Sequence, residues 1–247
     1  VEEEDGEEYA ELWKTRSNYL VTQTADFLPQ FAHKPANFAP GEGCRYCNCS
    51  FVLVGLMIEQ VTGQRYRDYV REHIFGPAGM DRSDFFRLDR VEEDVAEGAD
   101  PVRDEVGNVV GWKKNIYSFP PVGSPDSGAH VTAGDLDRFL RAVQAGKLLS
   151  PALTAEFLSP HVLYRETDTG QVHYGYALAF QADPAGEIVF YGKSGINAGV
   201  SAMLRYYPAG DVTVVLLSNM EDGVWEPVRT VHEAVMEGLA VSKPSAS

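Results

Sequence analysis

The first half of the chain carries hydrophobic residues with a helical period, separated by one long irregular segment. Residues 49–62 are nearly all apolar and predict a buried helix, and Gly63 is well placed as its left-handed C-terminal residue. A second helix is predicted over about 65–75, where apolar positions recur at spacings of three and four. Residues 81–130 are mostly loop and rich in Gly, Pro, Asp and Ser. Such a long loop is usually a wall or cover of a functional site.

Two further helices have clear starting signals. Thr132 and Asp135 have capping-box spacing, and Ser150 precedes a proline in a position that the first helical turn tolerates. The first of these helices is expected to bury a stripe of apolar side chains: Leu136, Phe139, Leu140 and Val143.

The hydrophobic period changes to two after about residue 172. Four strands are predicted from HYGYALAFQ, EIVFYGKSG, VSAMLRYYP and VTVVLLSNM, with the short turns DPAGE and PAGD, and a helix follows over about 224–239. This order predicts an α+β fold, with a helical lobe and an antiparallel β-sheet flanked by helices. Residues 1–160 would form the helical lobe with the long loop, and residues 161–247 the sheet with its C-terminal helix.

Composition narrows the possible partners. The chain has 247 residues, of which 44% are hydrophobic and 23% charged, and its formal net charge is −15. Such acidity argues against nucleic acid and an anionic membrane as partners, and we interpret it as a solubility feature. The acidic start VEEEDGEEYAE is expected to be solvated or frayed, and it has neither an initiator Met nor a signal sequence. It is typical of an internal position, so the localisation is left unassigned.

Cys44, Cys47 and Cys49 lie close enough in sequence to suggest a metal site. A structural zinc site needs four ligands, but there is no second Cys pair, and the six histidines form no spaced pair with one another. Cys47 and Cys49 also point in different directions on a helix. We therefore predict no metal, no cofactor and no disulfide that is essential for folding.

The sequence resembles a known superfamily at two separated motifs. Tyr46-x-Asn48 stands in the first turn of the apolar helix, and Lys193-Ser194-Gly195 ends an apolar strand. This pairing resembles the serine β-lactamase and penicillin-binding-protein superfamily, and most of all its class C β-lactamase and esterase branch. Other stretches are similar in the family's order, from about residue 30 onward: FAPGEGCRYCN, VGLMIEQVTGQRYRDYVREHIFGPAGM, TAGDLDRFLRAVQAGKLLSP, YYP and VVLLSN.

The resemblance implies roles for the motif residues. Tyr46 would be the general base and then the general acid, and Asn48 would donate to the side-chain amide of the substrate. A tyrosine phenol with its ordinary pKa of about 10 needs a nearby cation to act as a base at neutral pH. Lys193 would be that cation, so Tyr46 and Lys193 are expected to meet across one cleft. Lys193 and Ser194 would also hold a substrate carboxylate.

Further residues are expected to bind substrate. By the same resemblance, Gly195 keeps the strand edge open for a substrate that adds as an extra strand, and the backbone N–H of Ile196 supplies half of the oxyanion hole. Ser127 and Gly128 are placed in the site by their position in the long loop.

The family's nucleophile is the serine of Ser-x-x-Lys, and no serine in this sequence is followed three positions later by Lys. The chain therefore resembles the C-terminal two-thirds of the family. Either an N-terminal segment is not included here, or this is a relative without the chemistry. Cys47 is a poor substitute nucleophile because its general base would be its own neighbour. We also expect residues 212–220, a strand without edge-protecting Lys or Pro, to pair with that N-terminal segment, a symmetry partner or another chain.

The predicted function is that of a β-lactamase-related serine hydrolase, which acts on β-lactam or D-alanyl peptide amides through an acyl-enzyme. The 247-residue chain alone is expected to be inactive. Two alternatives stay open, a carboxylesterase on the same scaffold and a non-catalytic relative that binds a peptide or peptidoglycan.

Overall fold

The computed structural model describes residues 16–241, so the acidic start of the sequence lies outside the described residues. The chain divides into two compact units that are interleaved in sequence. The first comprises Val1–Glu97 and Lys114–Val143, and the second comprises Gly98–Lys113 and Gln144–Ser247. The predicted division at residue 160 stays a prediction.

The α-helices are α1 (Leu28–Phe31), α2 (Asn48–Thr62), α3 (Tyr66–Val70), α4 (Gly76–Ala78), α5 (Ala133–Gln144), α6 (Pro151–Phe157) and α7 (Trp225–Val241). A π-helical turn, Arg71–Phe75, joins α3 to α4. The strands are β1 (Ala99–Arg103), β2 (Val109–Lys114), β3 (Val162–Thr167), β4 (Gly170–Tyr174), β5 (Ala179–Ala182), β6 (Ile188–Asn197), β7 (Val200–Tyr207) and β8 (Val212–Ser218). The α+β prediction is confirmed.

Helix α2 ends as predicted but is not buried on all sides. Gly63 has a φ of 71° and its N–H donates to the Glu59 carbonyl, which closes the helix. One face is buried where Val52 packs with Val21 and Phe27. Elsewhere the helix exposes apolar side chains, among them Phe51, Leu53, Val54, Met57 (57% exposed) and Val61 (85% exposed). The prediction of a wholly buried helix is therefore wrong for the described residues.

Helix α5 begins with the predicted cap, since the Asp135 N–H donates to Thr132 Oγ1 at 3.1 Å. The fully buried Asp135 carboxylate accepts from the Arg82 N–H at 3.0 Å, the Ser83 hydroxyl at 2.6 Å and the Arg138 guanidinium. Burial opposes ionisation, but these hydrogen bonds outweigh it and lower the pKa of Asp135. Of the predicted stripe, Leu140 and Val143 are buried.

The main sheet is antiparallel in the order β3-β4-β5-β6-β7-β8. Two features differ from the sequence-based prediction. The stretch HYGYALAFQ forms the end of β4 and most of β5, because Ala177 between them takes the left-handed φ of 64°. The strand β3 was not predicted. Under the sheet, Met203 packs with Val224 and Val228 at the start of α7.

A β-hairpin lies within the segment predicted to be loop. Its strands β1 and β2 form a separate two-stranded sheet. Asp104 Oδ1 accepts the N–H groups of Val106 and Asn108 at 3.1 and 2.8 Å, and Gly107 has a φ of 91°, so a local turn closes the hairpin. This hairpin belongs to the same compact unit as the main sheet.

Candidate active site

Tyr46 and Asn48 are brought together at the start of α2. Helix α2 begins at Asn48, and the backbone at Cys47 is extended. Tyr46 therefore lies just before the helix, and the prediction that it stands in the first helical turn is wrong. The Tyr46 hydroxyl donates to Asn48 Oδ1 at 2.9 Å, and both side chains are half-buried. The two groups assigned to proton transfer and amide binding thus form one hydrogen-bonded pair.

Ser127 and Gly128 lie at the exposed tip of a tight turn in the long loop. Ser124 and Ser127 exchange two backbone hydrogen bonds, of 2.8 and 3.1 Å. Gly128 has a φ of 91°, and a Cβ on Gly123 would come within 2.3 Å of the Gly128 carbonyl oxygen. The turn therefore needs glycine at both positions, and it leaves the Ser127 side chain open to solvent.

The loop is held directly against α2. A Cβ on Gly55 would lie only 2.1 Å from Pro125 Cγ, so Pro125 rests on the helix backbone at Gly55. The Arg67 guanidinium donates to the Gly123 carbonyl at 3.0 Å and to the Thr22 carbonyl at 2.7 Å. These contacts fix the loop of Ser127 to the helix that begins at Asn48.

Two half-buried groups near Asp126 have raised pKa values. Burial raises the pKa of Tyr66 to about 12, and the Asp126 charge adds to the effect. Burial also raises the pKa of the Cys49 thiol, with smaller contributions from Cys47 and Asp126. A thiol with a raised pKa is a weak nucleophile at neutral pH. Cys49 is therefore no better a substitute nucleophile than Cys47.

The three cysteines form no disulfide with one another, and Cys44 is exposed. Within residues 16–241 no group of three His, Cys, Asp or Glu side chains is arranged to hold a metal ion. In the same range no helix is both long and apolar enough to cross a membrane. The absence of metal and cofactor stays a prediction.

Lys193, Ser194, Gly195 and Ile196 follow one another near the end of β6. Strand β5 pairs with β6 only as far as Gly192. Ser194, Gly195 and Ile196 are exposed, Ile196 to 54%, and in the described part of the chain they pair only with β7. A Cβ on Gly195 would meet nothing within 4 Å. One edge of β6 is thus open at the motif.

The register shows which backbone groups face this open edge. The two-residue turn Ala198-Gly199 joins the pair Asn197 and Val200, and such turns close on a hydrogen-bonded pair. Hydrogen-bonded and non-hydrogen-bonded pairs alternate along antiparallel strands. Ile196 and Ser194 therefore belong to non-hydrogen-bonded pairs with β7. Their N–H and C=O groups point away from β7, toward the open edge.

Sequence reasoning missed residues that support these motifs. Gly55 and Pro125 were not selected, although an isolated glycine in an apolar helix often marks close packing. The sequence gives no signal for Asp100, at the base of the hairpin, because its segment predicts a loop. The expected meeting of Tyr46 and Lys193 stays a prediction.

Comparison with known proteins gives the family. Residues 3–233 match the family model described as Beta-lactamase, so the chain belongs to the beta-lactamase family, whose relatives are hydrolases. The resemblance noted in the sequence is therefore confirmed.

Individual relatives agree with this family assignment. The chain is 39% identical over 226 residues to a D-aminopeptidase of Brucella ovis, which covers 92% of this chain and 40% of the relative. It is 30% identical over 199 residues to penicillin-binding protein 4* of Bacillus subtilis, which covers 75% of this chain and 42% of the relative. A crystal structure of a penicillin-binding protein from Bacillus halodurans has 33% identity and a TM-score of 0.83, over 91% of this chain and 66% of that one. The chain thus spans less than half the length of both relatives compared by sequence.

Proposed function

We propose that this chain binds substrate and transfers protons in a serine hydrolase that cleaves β-lactam or D-alanyl peptide amides through an acyl-enzyme. The observation that carries the proposal is the open edge of β6. An extended peptide adds to such an edge through main-chain hydrogen bonds. The outward backbone groups of Ser194 and Ile196 are the partners that the edge offers.

The charge at this edge favours substrates with a carboxylate. Lys193 supplies an ammonium group, and the neighbouring Ser194 supplies an exposed hydroxyl. A carboxylate on the substrate would receive a charge-assisted hydrogen bond from Lys193 and a second bond from Ser194. The Ile196 N–H, two residues further on, would then lie beside the scissile carbonyl and donate to the developing oxyanion.

Tyr46 would transfer the protons. Its hydroxyl now donates to Asn48 Oδ1, a bond that favours the neutral phenol. Asn48 would donate to the carbonyl oxygen of the substrate's side-chain amide through its Nδ2–H, which leaves Oδ1 facing the Tyr46 hydroxyl. If Tyr46 and Lys193 meet as the sequence predicts, the Lys193 ammonium would stabilise the phenolate, which accepts the proton of the nucleophilic serine and later delivers it to the leaving nitrogen.

The nucleophile itself would come from a Ser-x-x-Lys segment that lies outside these 247 residues. Two surfaces support an additional packed segment. Helix α2, which begins at the Tyr46 motif, exposes apolar side chains along its length, including Met57 and Val61. Strand β8 pairs only with β7 among residues 16–241, so its outer edge can accept another strand.

The proposal is tested by covalent labelling. The polypeptide that joins a Ser-x-x-Lys segment to this chain is incubated with penicillin and analysed by mass spectrometry. We expect a penicilloyl adduct on that serine and none on the 247-residue chain alone. An adduct on this chain alone would mean that the nucleophile has been misplaced.

A charge variant sharpens the test. Lys193→Met should weaken binding of a peptide ending in a D-alanyl carboxylate by about tenfold or more, because one charge-assisted hydrogen bond contributes roughly 1.5–3 kcal/mol. Lys147→Met serves as the control, since it removes a lysine charge at an exposed position outside the motifs, whereas Lys193 is half-buried. Equal affinity in the two variants would contradict the carboxylate role of Lys193.

The D-aminopeptidase relative favours a second candidate, an amidase that removes D-residues from the amino terminus of peptides. The carboxylesterase and the non-catalytic peptide-binding or peptidoglycan-binding relative also stay open. Parallel turnover of a chromogenic cephalosporin, a D-alanine anilide and a short acyl ester separates the three enzymes. Peptide binding without turnover of any of them would favour the binding protein.

A further inference from the structure

The hairpin of β1 and β2 is tied to the end of the main sheet through one carboxylate. Asp100 Oδ2 accepts the N–H of Gly199 at 2.5 Å, and Oδ1 accepts the N–H of Glu221 at 2.8 Å. Beside it, the Ala99 N–H donates to the Asn219 carbonyl at 3.1 Å. Asp100 thus joins the β6–β7 turn to the loop between β8 and α7.

These two hydrogen bonds to the Asp100 carboxylate are strong ones. A carboxylate accepts from a backbone N–H in a shorter bond that is roughly twice as strong as one between neutral groups. Gly199 holds a left-handed φ of 66°, and within the turn Asn197 Oδ1 accepts the Ala198 N–H at 3.2 Å. Both Asp100 oxygens are committed, so the carboxylate is fixed in orientation and fixes the turn in return.

A second hydrogen bond holds the same region from the other side. Ser201 is buried and is the register partner of Ile196 on β7. Its hydroxyl donates to the Met220 carbonyl at 2.7 Å. The loop around Met220 is therefore bound both by Asp100 and by the residue opposite Ile196. The end of β6 is thus held by hydrogen bonds of Asp100 on the turn that follows it and of Ser201 on the paired strand.

From this geometry we propose that Asp100 is a positioning residue for the Ile196 N–H. The inference rests on the proposed function, in which that N–H donates to the oxyanion. Asp100 touches no reacting atom. It sets the position of the β6–β7 turn, and the turn sets the direction of the Ile196 N–H three residues before Gly199. A looser turn would leave the peptide edge in place but would misdirect the donor in the transition state.

Hydrogen exchange on the protein tests the contact itself. The amides of Gly199 and Glu221 should exchange slowly in the wild type although neither lies within a strand. Asp100→Ala should raise their exchange rates by about tenfold or more, and Asp100→Asn, which keeps one acceptor oxygen, by less. Fast exchange of both amides in the wild type would overturn the inference without any variant, even if Asp100→Ala fails to fold.

Kinetics of the polypeptide that carries the nucleophile test the role. Asp100→Asn should lower kcat by about tenfold with KM within twofold, because the misplaced donor acts only in the transition state. Asp104→Ala is the matched control, since Asp104 caps the turn of the same hairpin but does not contact Gly199 or Glu221. It should leave both kcat and KM near the wild-type values.

The outcomes separate the two proposals. No turnover in the wild type contradicts the proposed function, and the role of Asp100 falls with it. If Asp100→Asn keeps the wild-type kcat while Lys193→Met loses binding, only the role of Asp100 is contradicted. Equal losses in Asp100→Asn and Asp104→Ala would show that the hairpin merely supports folding.

Discussion

Replacing Gly55 by alanine tests whether the long loop is packed on α2. An alanine Cβ at this position would lie 2.1 Å from Pro125 Cγ and 2.7 Å from Pro125 Cβ. Carbon atoms in contact stand about 3.5–4.0 Å apart, so the proline ring would have to move by roughly 1.5 Å. The ring is rigid and lies in the backbone of the loop, so this movement would displace Ser127 as well.

Two opposing effects determine how much Gly55→Ala changes the free energy of unfolding. Alanine is favoured over glycine inside a helix by about 1 kcal/mol, and this gain should appear undiminished where the new methyl group meets nothing. Overpacking costs about 1–3 kcal/mol, and here the obstacle is a ring that cannot rotate away. We expect Gly55→Ala to lower the free energy of unfolding by about 1 kcal/mol in net.

Gly238 in α7 provides the matched control, because a Cβ there would have no neighbour within 4 Å. Gly238→Ala should raise the free energy of unfolding by about 0.5–1 kcal/mol. Urea unfolding followed by far-ultraviolet circular dichroism measures both variants, and equal slopes would allow their midpoints to be compared. If Gly55→Ala is as stable as Gly238→Ala, the packing of Pro125 on α2 is refuted.

Two further predictions concern the second compact unit. Burial, with the charge of Arg205, lowers the pKa of His232, so the unfolded chain takes up this proton first as the pH falls. The contribution of His232 to stability should be complete above about pH 6.5 and be lost at lower pH. In urea unfolding, His232→Gln should therefore flatten the slope of the free energy of unfolding against pH. An unchanged slope in His232→Gln would contradict the prediction. For the outer strand β8, Leu217→Lys should reduce any self-association seen by light scattering, because a charge on an open edge discourages strand pairing. Leu163→Lys on the opposite edge strand β3 is the control, and an equal effect of both variants would remove β8 as the pairing edge.

The features that sequence alone predicted correctly depend on neighbours close in the chain. The left-handed end of α2 at Gly63 and the cap of α5 at Thr132 are set by the residues of those turns themselves. The Tyr46 and Asn48 motif is likewise local, since the two side chains hydrogen-bond across one intervening residue. Such contacts form whatever the rest of the chain does, and their spacing can therefore be read directly.

Local patterns failed where a distant group decides the conformation or the environment. The apolar composition of α2 predicts burial, but composition cannot tell which face of the helix is covered, and Met57 and Val61 are mostly exposed among the described residues. Ala177 interrupts an alternating pattern that predicts one strand. Alanine rarely adopts the left-handed backbone, so its residue type gives no sign of this break.

The supports of the candidate site belong entirely to the tertiary structure. Asp100 reaches Gly199 and Glu221 across 99 and 121 residues of chain, and Pro125 meets Gly55 in the same long-range manner. An aspartate in a loop-like segment has no pattern that names its partner, since a carboxylate accepts equally well from any N–H that comes near. The sequence alone predicted the residue types for the proposed chemistry, because a motif is local, whereas the packing of segments far apart in the chain holds the β6–β7 turn and the long loop in place.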